Sequence, residues 1–442
     1  VKDLRVVVAH PNAQHSHRLA VALQKAGMLA GYYTGMYSAW NQPPFNLVGW
    51  LPGPILQRIE RRVFDRFRRS HPELDPDLVT SIGAWTNLAM ALLFRSGVQA
   101  PWYRLPFRGR LVRFQRQVAE ASLRTADVMV LYNGNAYPGF LATQGSRLIR
   151  VLDMASVHPA TRDAIFRAEA ARWPKYSGNM VILSERPDMF AQTSAEAGMA
   201  DYLLAGSAWV KSTCVENGVD PARVFVVRYG VDTSVFQPGE SIQRKAENST
   251  FRILFVGGAS AAKGFPYLLQ MLEQLNDCEI EVLCCGIGTI PQVGGFDLGR
   301  VRLNALGLLP HAELAGVMRG VDALCHPSVL EGFSLTCLEG MASGLPVLTT
   351  HRSGTGEIII DGENGFVVPV GDPSAMARVV GRLIQDRDLG QRVGAAARAT
   401  AEEYTWRMYE QNVAAVFHEI ARREEHRLGT PGGSVVSDEG DA

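Results

Sequence analysis

Short apolar runs punctuated by turn residues recur along this chain, and helix-spaced segments lie between them. Leu4–Ala9 (LRVVVA) reads as a buried strand, followed by a loop from His10 to His17 and a helix from His17 to Ala26. The same alternation returns in strands at Val128–Leu131, Leu148–Leu152, Asp201–Ala205 and Val224–Val227. After the polar stretch Gln237–Thr250 it starts again, with strands at Arg252–Gly258, Glu279–Gly286, Val301–Gly307 and Asp322–Ser328, then LPVLTT and NGFVVPV. Strands that are apolar throughout, rather than alternating, suit a parallel sheet covered on both faces. Three helices close the pattern, at Ser374–Gln385, Leu389–Glu403 and Trp406 to about Glu425.

The predicted fold class is α/β, with two doubly wound Rossmann-like domains facing a cleft. The expected divisions are residues 1–237, a linker at 238–250, a second domain at 251–403, a helix at 404–425 that crosses back to the first domain, and a disordered tail at 426–442. Ligands of open parallel sheets bind beyond the carboxyl ends of the strands, so candidate chemistry is sought there.

The most informative stretch lies at such a strand end. In His326–Thr350, Glu331 sits on a loop, a helix begins near Ser334, and Glu339 falls a turn or more inside it. The amides of Gly332, Phe333, Ser334, Leu335 and Thr336 would then crown a helix N-terminus, where unpaired N–H groups and the helix dipole favour an anion. Gly332 allows close approach to the backbone. Two carboxylates flanking a phosphate-sized site suit a diphosphate with hydroxyls on either side. A loop and helix joining two buried strands, with the acids as caps, is the plain structural alternative.

Composition changes little in this picture. The 442 residues are 47% hydrophobic and 20% charged, as in an ordinary globular protein, and the formal net charge is zero. Nucleic acid is therefore not an expected partner. The charge is uneven: residues 1–150 hold 19 Lys and Arg against 8 Asp and Glu, a surplus of 11 that the remainder balances. The six cysteines form no C-x-x-C pair and read as reduced buried thiols. No signal-peptide pattern opens the sequence and no apolar run reaches the roughly 18 residues of a membrane span. A cytoplasmic location is expected, with peripheral contact at the inner membrane face as an alternative. That alternative rests on residues 52–71, where Ile55, Ile59, Val63 and Phe67 recur at four-residue spacing among six arginines. Such a helix fits a core-facing element, an anionic membrane surface or a cradle for an anionic acceptor.

Four motifs in order resemble the large retaining glycosyltransferases of family 4, which have the GT-B fold. They are VGGASAAKG (Val256–Gly264), HPSVLEGFSLTCLEGMASG (His326–Gly344, the E-x7-E signature), DGENGFVVPVGD (Asp361–Asp372), and Ser207 followed by YGVD and Phe236. They span about residues 200–425; residues 1–200 match only in outline. The resemblance implies a nucleotide-diphosphate-sugar donor, a carbohydrate, lipid-linked or small-molecule acceptor, and no cofactor or metal. It implies that Lys263, with the amides of Gly257 and Gly258, holds the donor diphosphate. Glu339 would take the ribose hydroxyls, Glu331 the transferred sugar, and backbone near Leu308 the base. The family usually carries an Arg at the position of Gly258, so one cation is missing here.

In the first domain His158 is the candidate catalytic residue near the donor sugar, against a plain loop histidine beside a proline. The first loop lacks the Gly pair common in the family, and Asn12, Gln14 and His15 become acceptor-binding candidates. Asp75-Pro-Asp77 reads as turn chemistry rather than a metal site. A sugar-nucleotide epimerase on the same fold, and a non-catalytic sugar-nucleotide-binding protein, are the alternative functions.

Overall fold

The computed structural model describes residues 4–12, 15–39, 41, 42, 46, 70–85, 87, 104–178, 180, 182–239, 250–287, 290, 293 and 295–429. The expected basic helix at 52–71 therefore lies outside the described residues except at its last two positions, and so do Gln14 and most of the linker. The described residues fall into two compact units. One comprises those within Val1–Ala100, Glu120–Met129 and Glu410–Ala442, and the other those within Pro101–Ala119 and Val130–Tyr409.

In the first unit β1 (Val6–His10), β2 (Leu29–Thr34) and β3 (Val79–Ser81) run parallel in the order β3-β2-β1, with β4 (Val128–Tyr132) beginning beside β1. Every residue of β1 is buried, as its run of valines predicts. Helix α1 (Ser16–Lys25) follows β1, so the expected loop ends at His15, which is the N-cap. Asp75 accepts the amide of Asp77 at 2.9 Å, capping a short 3₁₀ turn, so this D-x-D is turn chemistry.

The second unit holds the continuation of β4, then β5 (Ile149–Met154), β6 (Tyr202–Ala205) and β7 (Val224–Val226), in the order β4-β5-β6-β7. Its helices here are α2 (Arg104–Thr125, of which the unit takes the part to Ala119), α3 (Tyr137–Ala142), α4 (Pro159–Arg172), α5 (Pro187–Met199) and α6 (Ala208–Glu216). Proline opens α3, α4 and α5, where its missing N–H costs nothing and its fixed φ suits the first turn.

A six-stranded parallel sheet completes this unit. It is built from β8 (Phe251–Val256), β9 (Ile280–Cys285), β10 (Arg302–Gly307), β11 (Ala323–His326), β12 (Val347–Thr350) and β13 (Phe366–Val368), ordered β10-β9-β8-β11-β12-β13. β8 and β11 are completely buried at their centres, whereas β10 at the edge exposes polar residues. The connecting helices are α7 (Phe265–Glu273), α8 (His311–Met318), α9 (Leu335–Ala342), α10 (Pro373–Gln385), α11 (Arg387–Glu403) and α12 (Trp406–Gly429). The last runs four residues past the expected end at Glu425, with Glu410 onward belonging to the first unit. The two sheets are Rossmann-like, in agreement with the expected fold class. Among the described residues no helix is long and apolar enough to cross a membrane.

The order of the second sheet reverses between β8 and β11. From β8 the chain winds outward through β9 and β10, then returns to the other side of β8 at β11. Ligands of such sheets bind beyond the carboxyl ends of the strands flanking this reversal, where the loops leaving β8 and β11 lie.

Candidate active site

Both loops at this switch point carry the residues singled out by sequence. The loop after β8 turns at Gly257, whose φ of +142° favours glycine, and ends at Gly264, whose φ is +73°. A side chain at Gly264 would put Cβ 2.0 Å from the Pro327 carbonyl oxygen, so the two loops are in backbone contact. The Val329 amide donates to the Ala262 carbonyl at 3.0 Å and the Ser328 hydroxyl lies 2.9 Å from the same oxygen. This fixes Lys263 opposite the loop after β11, where its Nζ donates to Glu331 Oε1. Ser328 Oγ lies 3.0 Å from that oxygen, so its one proton serves either this carboxylate or the Ala262 carbonyl, and Nε2 of the buried His326 ring lies 3.6 Å away. Burial pushes the Glu331 carboxyl up. The His326 ring and the Lys263 ammonium more than reverse this, leaving it at about 2. Glu331 is thus a firmly ionised carboxylate.

Helix α9 starts where the spacing predicts. Ser334 is its N-cap, accepting from the Cys337 amide at 3.3 Å. Two expectations change at this terminus. The Ser334 amide donates to the Ser353 carbonyl at 3.0 Å, which removes it from the open donors. Those of Gly332, Phe333, Leu335 and Thr336 have no acceptor among the described residues. The missing side chain of Gly332 also serves a protein contact, because a Cβ there would meet the Ala155 carbonyl oxygen at 2.2 Å, while its amide stays open. Its own carbonyl accepts from Ser207 Oγ at 2.6 Å, which gives the Ser207 of the fourth motif a concrete role.

Glu339 faces the neighbouring strand ends. Its carboxyl is nearly buried, has no hydrogen-bond partner among the described residues, and is pushed up to about 8 by burial. Cys285 at the end of β9 feels this carboxylate and interacts with the Leu309 backbone, so Glu339, Cys285 and Leu309 share one neighbourhood. Leu308 beside it is 90% exposed, an apolar side chain presented to solvent in the turn after β10. The space around Gly258 is open, with nothing within 4 Å of the point where a Cβ would stand.

A cavity of about 570 Å³ opens at Lys263 and Glu331. Its opposite wall comes from α2, α3, α4 and α5, including Gln115, Tyr137, Arg162, Phe166 and Gln192. His158 is not among the lining residues. Its Nδ1 accepts from the Ala160 amide at 3.3 Å, which makes it the N-cap of α4, and its own amide donates to Thr213 Oγ1 at 3.0 Å. Burial lowers its pKa, favouring the neutral ring, and an accepting Nδ1 assigns the proton to Nε2. Asn12 and His15 belong to the first unit. Sequence reasoning missed Arg162 and the Glu196 carboxyl, which also lines the cavity. Both lie on helices without clear apolar periodicity, and nothing in their local spacing marks them.

Residues 250–386 match the family model for glycosyl transferases group 1. The chain is 28% identical over 278 residues to the MMP alpha-(1->4)-mannosyltransferase of Mycolicibacterium hassiacum, covering 60% of this chain and 64% of that protein. It is 30% identical over 244 residues to the D-inositol 3-phosphate glycosyltransferase of Corynebacterium diphtheriae, covering 50% and 57%. The match thus spans less than two thirds of either relative's length. Among solved structures, sucrose-phosphate synthase from Thermosynechococcus elongatus superposes with a TM-score of 0.64 at 15% identity, over 95% of this chain and 100% of that one, and shares its fold.

Proposed function

We propose that the protein is a retaining, metal-independent glycosyltransferase that moves a sugar from a nucleotide-diphosphate-sugar to an acceptor hydroxyl. The observation that carries this reading is the Lys263–Glu331 pair at the mouth of a cavity, beside open amides at the start of α9. Lys263 Nζ has three donors and spends one on Glu331, leaving others for a diphosphate. Together with the amides of Gly332, Phe333, Leu335 and Thr336 it stabilises the negative charge that develops on the leaving phosphate. Glu331, ionised throughout the neutral range, faces the transferred sugar and the positive charge that grows at its anomeric carbon. The bond from that carbon to the phosphate oxygen breaks as the acceptor oxygen bonds on the same face. The acceptor's proton passes to the departing phosphate. The Glu339 carboxyl takes the ribose hydroxyls, and exposed Leu308 gives the base an apolar surface.

His158 acts at the donor sugar through its Nε2–H in this reading. The domain division at 238–250 and the acceptor roles of Asn12, Gln14 and His15 belong to the same proposal. The acceptor is a carbohydrate, lipid-linked or small molecule.

The test is incubation of the full chain with uridine and guanosine diphosphate sugars, with and without chelator. Slow release of nucleoside diphosphate and free sugar, unaffected by chelator, is the expected result. NMR of a transferred product should show the donor's anomeric configuration. A new nucleotide sugar would mean epimerisation, and binding without turnover would mean a sensor.

A further inference from the structure

Arg162 is the group in this cavity that the transfer reaction leaves unused. It lies in the first turn of α4 and lines the cavity, half-buried, and its Nε is buried with no hydrogen-bond partner among the described residues. Two carboxylates lie near enough to act on it, those of Asp163 and Glu196. Both are committed elsewhere. Asp163 accepts the Ser184 amide at 2.9 Å and pairs with Arg167 at 3.1 Å. Glu196 accepts the amides of Gly134, Ala136 and Tyr137 at 2.5, 2.8 and 3.0 Å, and Asn133 Nδ2 at 3.0 Å. A guanidinium that lines a cavity with its Nε unmatched is suited to an anion, since a donor left unmatched away from water is costly.

The wall around Arg162 is apolar: Leu111 and Val112 from α2, Pro138 from α3, Phe166 from α4 and Met189 from α5. A second hollow of about 270 Å³ shares Val112, Tyr137, Pro138 and Gln192 with the first and extends the lining to Leu141, which is 51% exposed. Arg162 therefore stands beside a mainly apolar lining that continues past Arg116, a second cation on the same helix as Val112, to the exposed Leu141.

We infer that this wall binds an amphipathic anionic acceptor, with Arg162 receiving a phosphate or carboxylate and the α2–α3–α5 track receiving an attached apolar chain. The inference deepens the transferase reading and rests on it for the word acceptor. Arg162 is then a specificity-determining residue, and a free sugar is a poor acceptor.

The test measures binding of octyl phosphate, octyl glucoside and inorganic phosphate to the full chain by calorimetry, with no nucleotide sugar present. It can therefore fail while transfer stands, and transfer can fail while it holds. Octyl phosphate should bind roughly tenfold or more tightly than either comparator, Arg162→Gln should lose about that factor, and Arg162→Lys should keep part of it. Lys263→Gln should retain octyl phosphate binding, which separates this site from the diphosphate site. Equal affinity for octyl glucoside, or full binding by Arg162→Gln, overturns the anion site. Equal affinity for inorganic phosphate overturns the apolar track. Thermal melts report whether Arg162→Gln folds. If it does not, the wild-type ranking of the three probes and the peptide-mapped protection of Arg162 from phenylglyoxal by octyl phosphate decide.

Discussion

Glu331 and Glu339 are the same side chain eight residues apart, yet their surroundings drive them in opposite directions. Glu331 sits among a lysine, a serine hydroxyl and a histidine ring and is held at about 2, while Glu339 has burial alone and rises to about 8. Glu331→Ala should lower turnover by about a hundredfold or more with the fold retained, measured by nucleotide release and circular dichroism together. The Glu339 shift has a definite sign for stability. Its folded value lies above the ordinary 4.5, so the folded state keeps a proton that the unfolded state has lost, and stability declines as pH rises from about 4.5 through about 8. Melting curves between pH 5 and 8 should show Glu339→Gln gaining on the wild type as pH increases. Gly258 supplies a third test. The site has room for a longer side chain, and Gly258→Arg should tighten nucleoside diphosphate binding severalfold in calorimetry, by adding the charge that resembling enzymes carry there. The acids and Lys263 were legible because they follow strand ends in a fixed order. Their pairing was not, because it depends on the contact of Gly264 with Pro327, two residues 63 positions apart.

At the level of elements, strands and caps were read more reliably than helices. The buried strands of the second sheet appear where continuous apolar runs predict them, and α9 begins at its serine cap. The helices α2, α4 and α5 carry no clear apolar stripe: α2 and α4 mix arginine, alanine and glutamate, and α5 mixes alanine with polar residues. Two open amides of the α9 terminus, at Gly332 and Phe333, precede its cap, so the anion site is made by the loop as much as by the helix. Gly332→Ala tests that loop. Its Cβ would collide with the Ala155 backbone, and the melting temperature should fall by the equivalent of about 1–3 kcal/mol, typical of an overpacked site. Nucleotide binding should weaken with it, because the displaced amides belong to the same turn.

For the whole molecule, the described residues group by contact rather than by position along the chain. The first unit gathers the early strands, a piece of α2 with the start of β4, and the end of α12. Within it Lys25 pairs with Glu73 at 2.5 Å and with Glu410 at 2.9 Å, joining residues from opposite ends of the sequence. The sequence offers a final helix that crosses back to the first domain, but not the residue it meets there, since a helix face names no recipient. Lys25 and Glu410 lie 385 positions apart, so they meet only after the chain between them has been made. A product truncated anywhere upstream of Glu410 would leave Lys25 with Glu73 as its one acidic partner among the described residues.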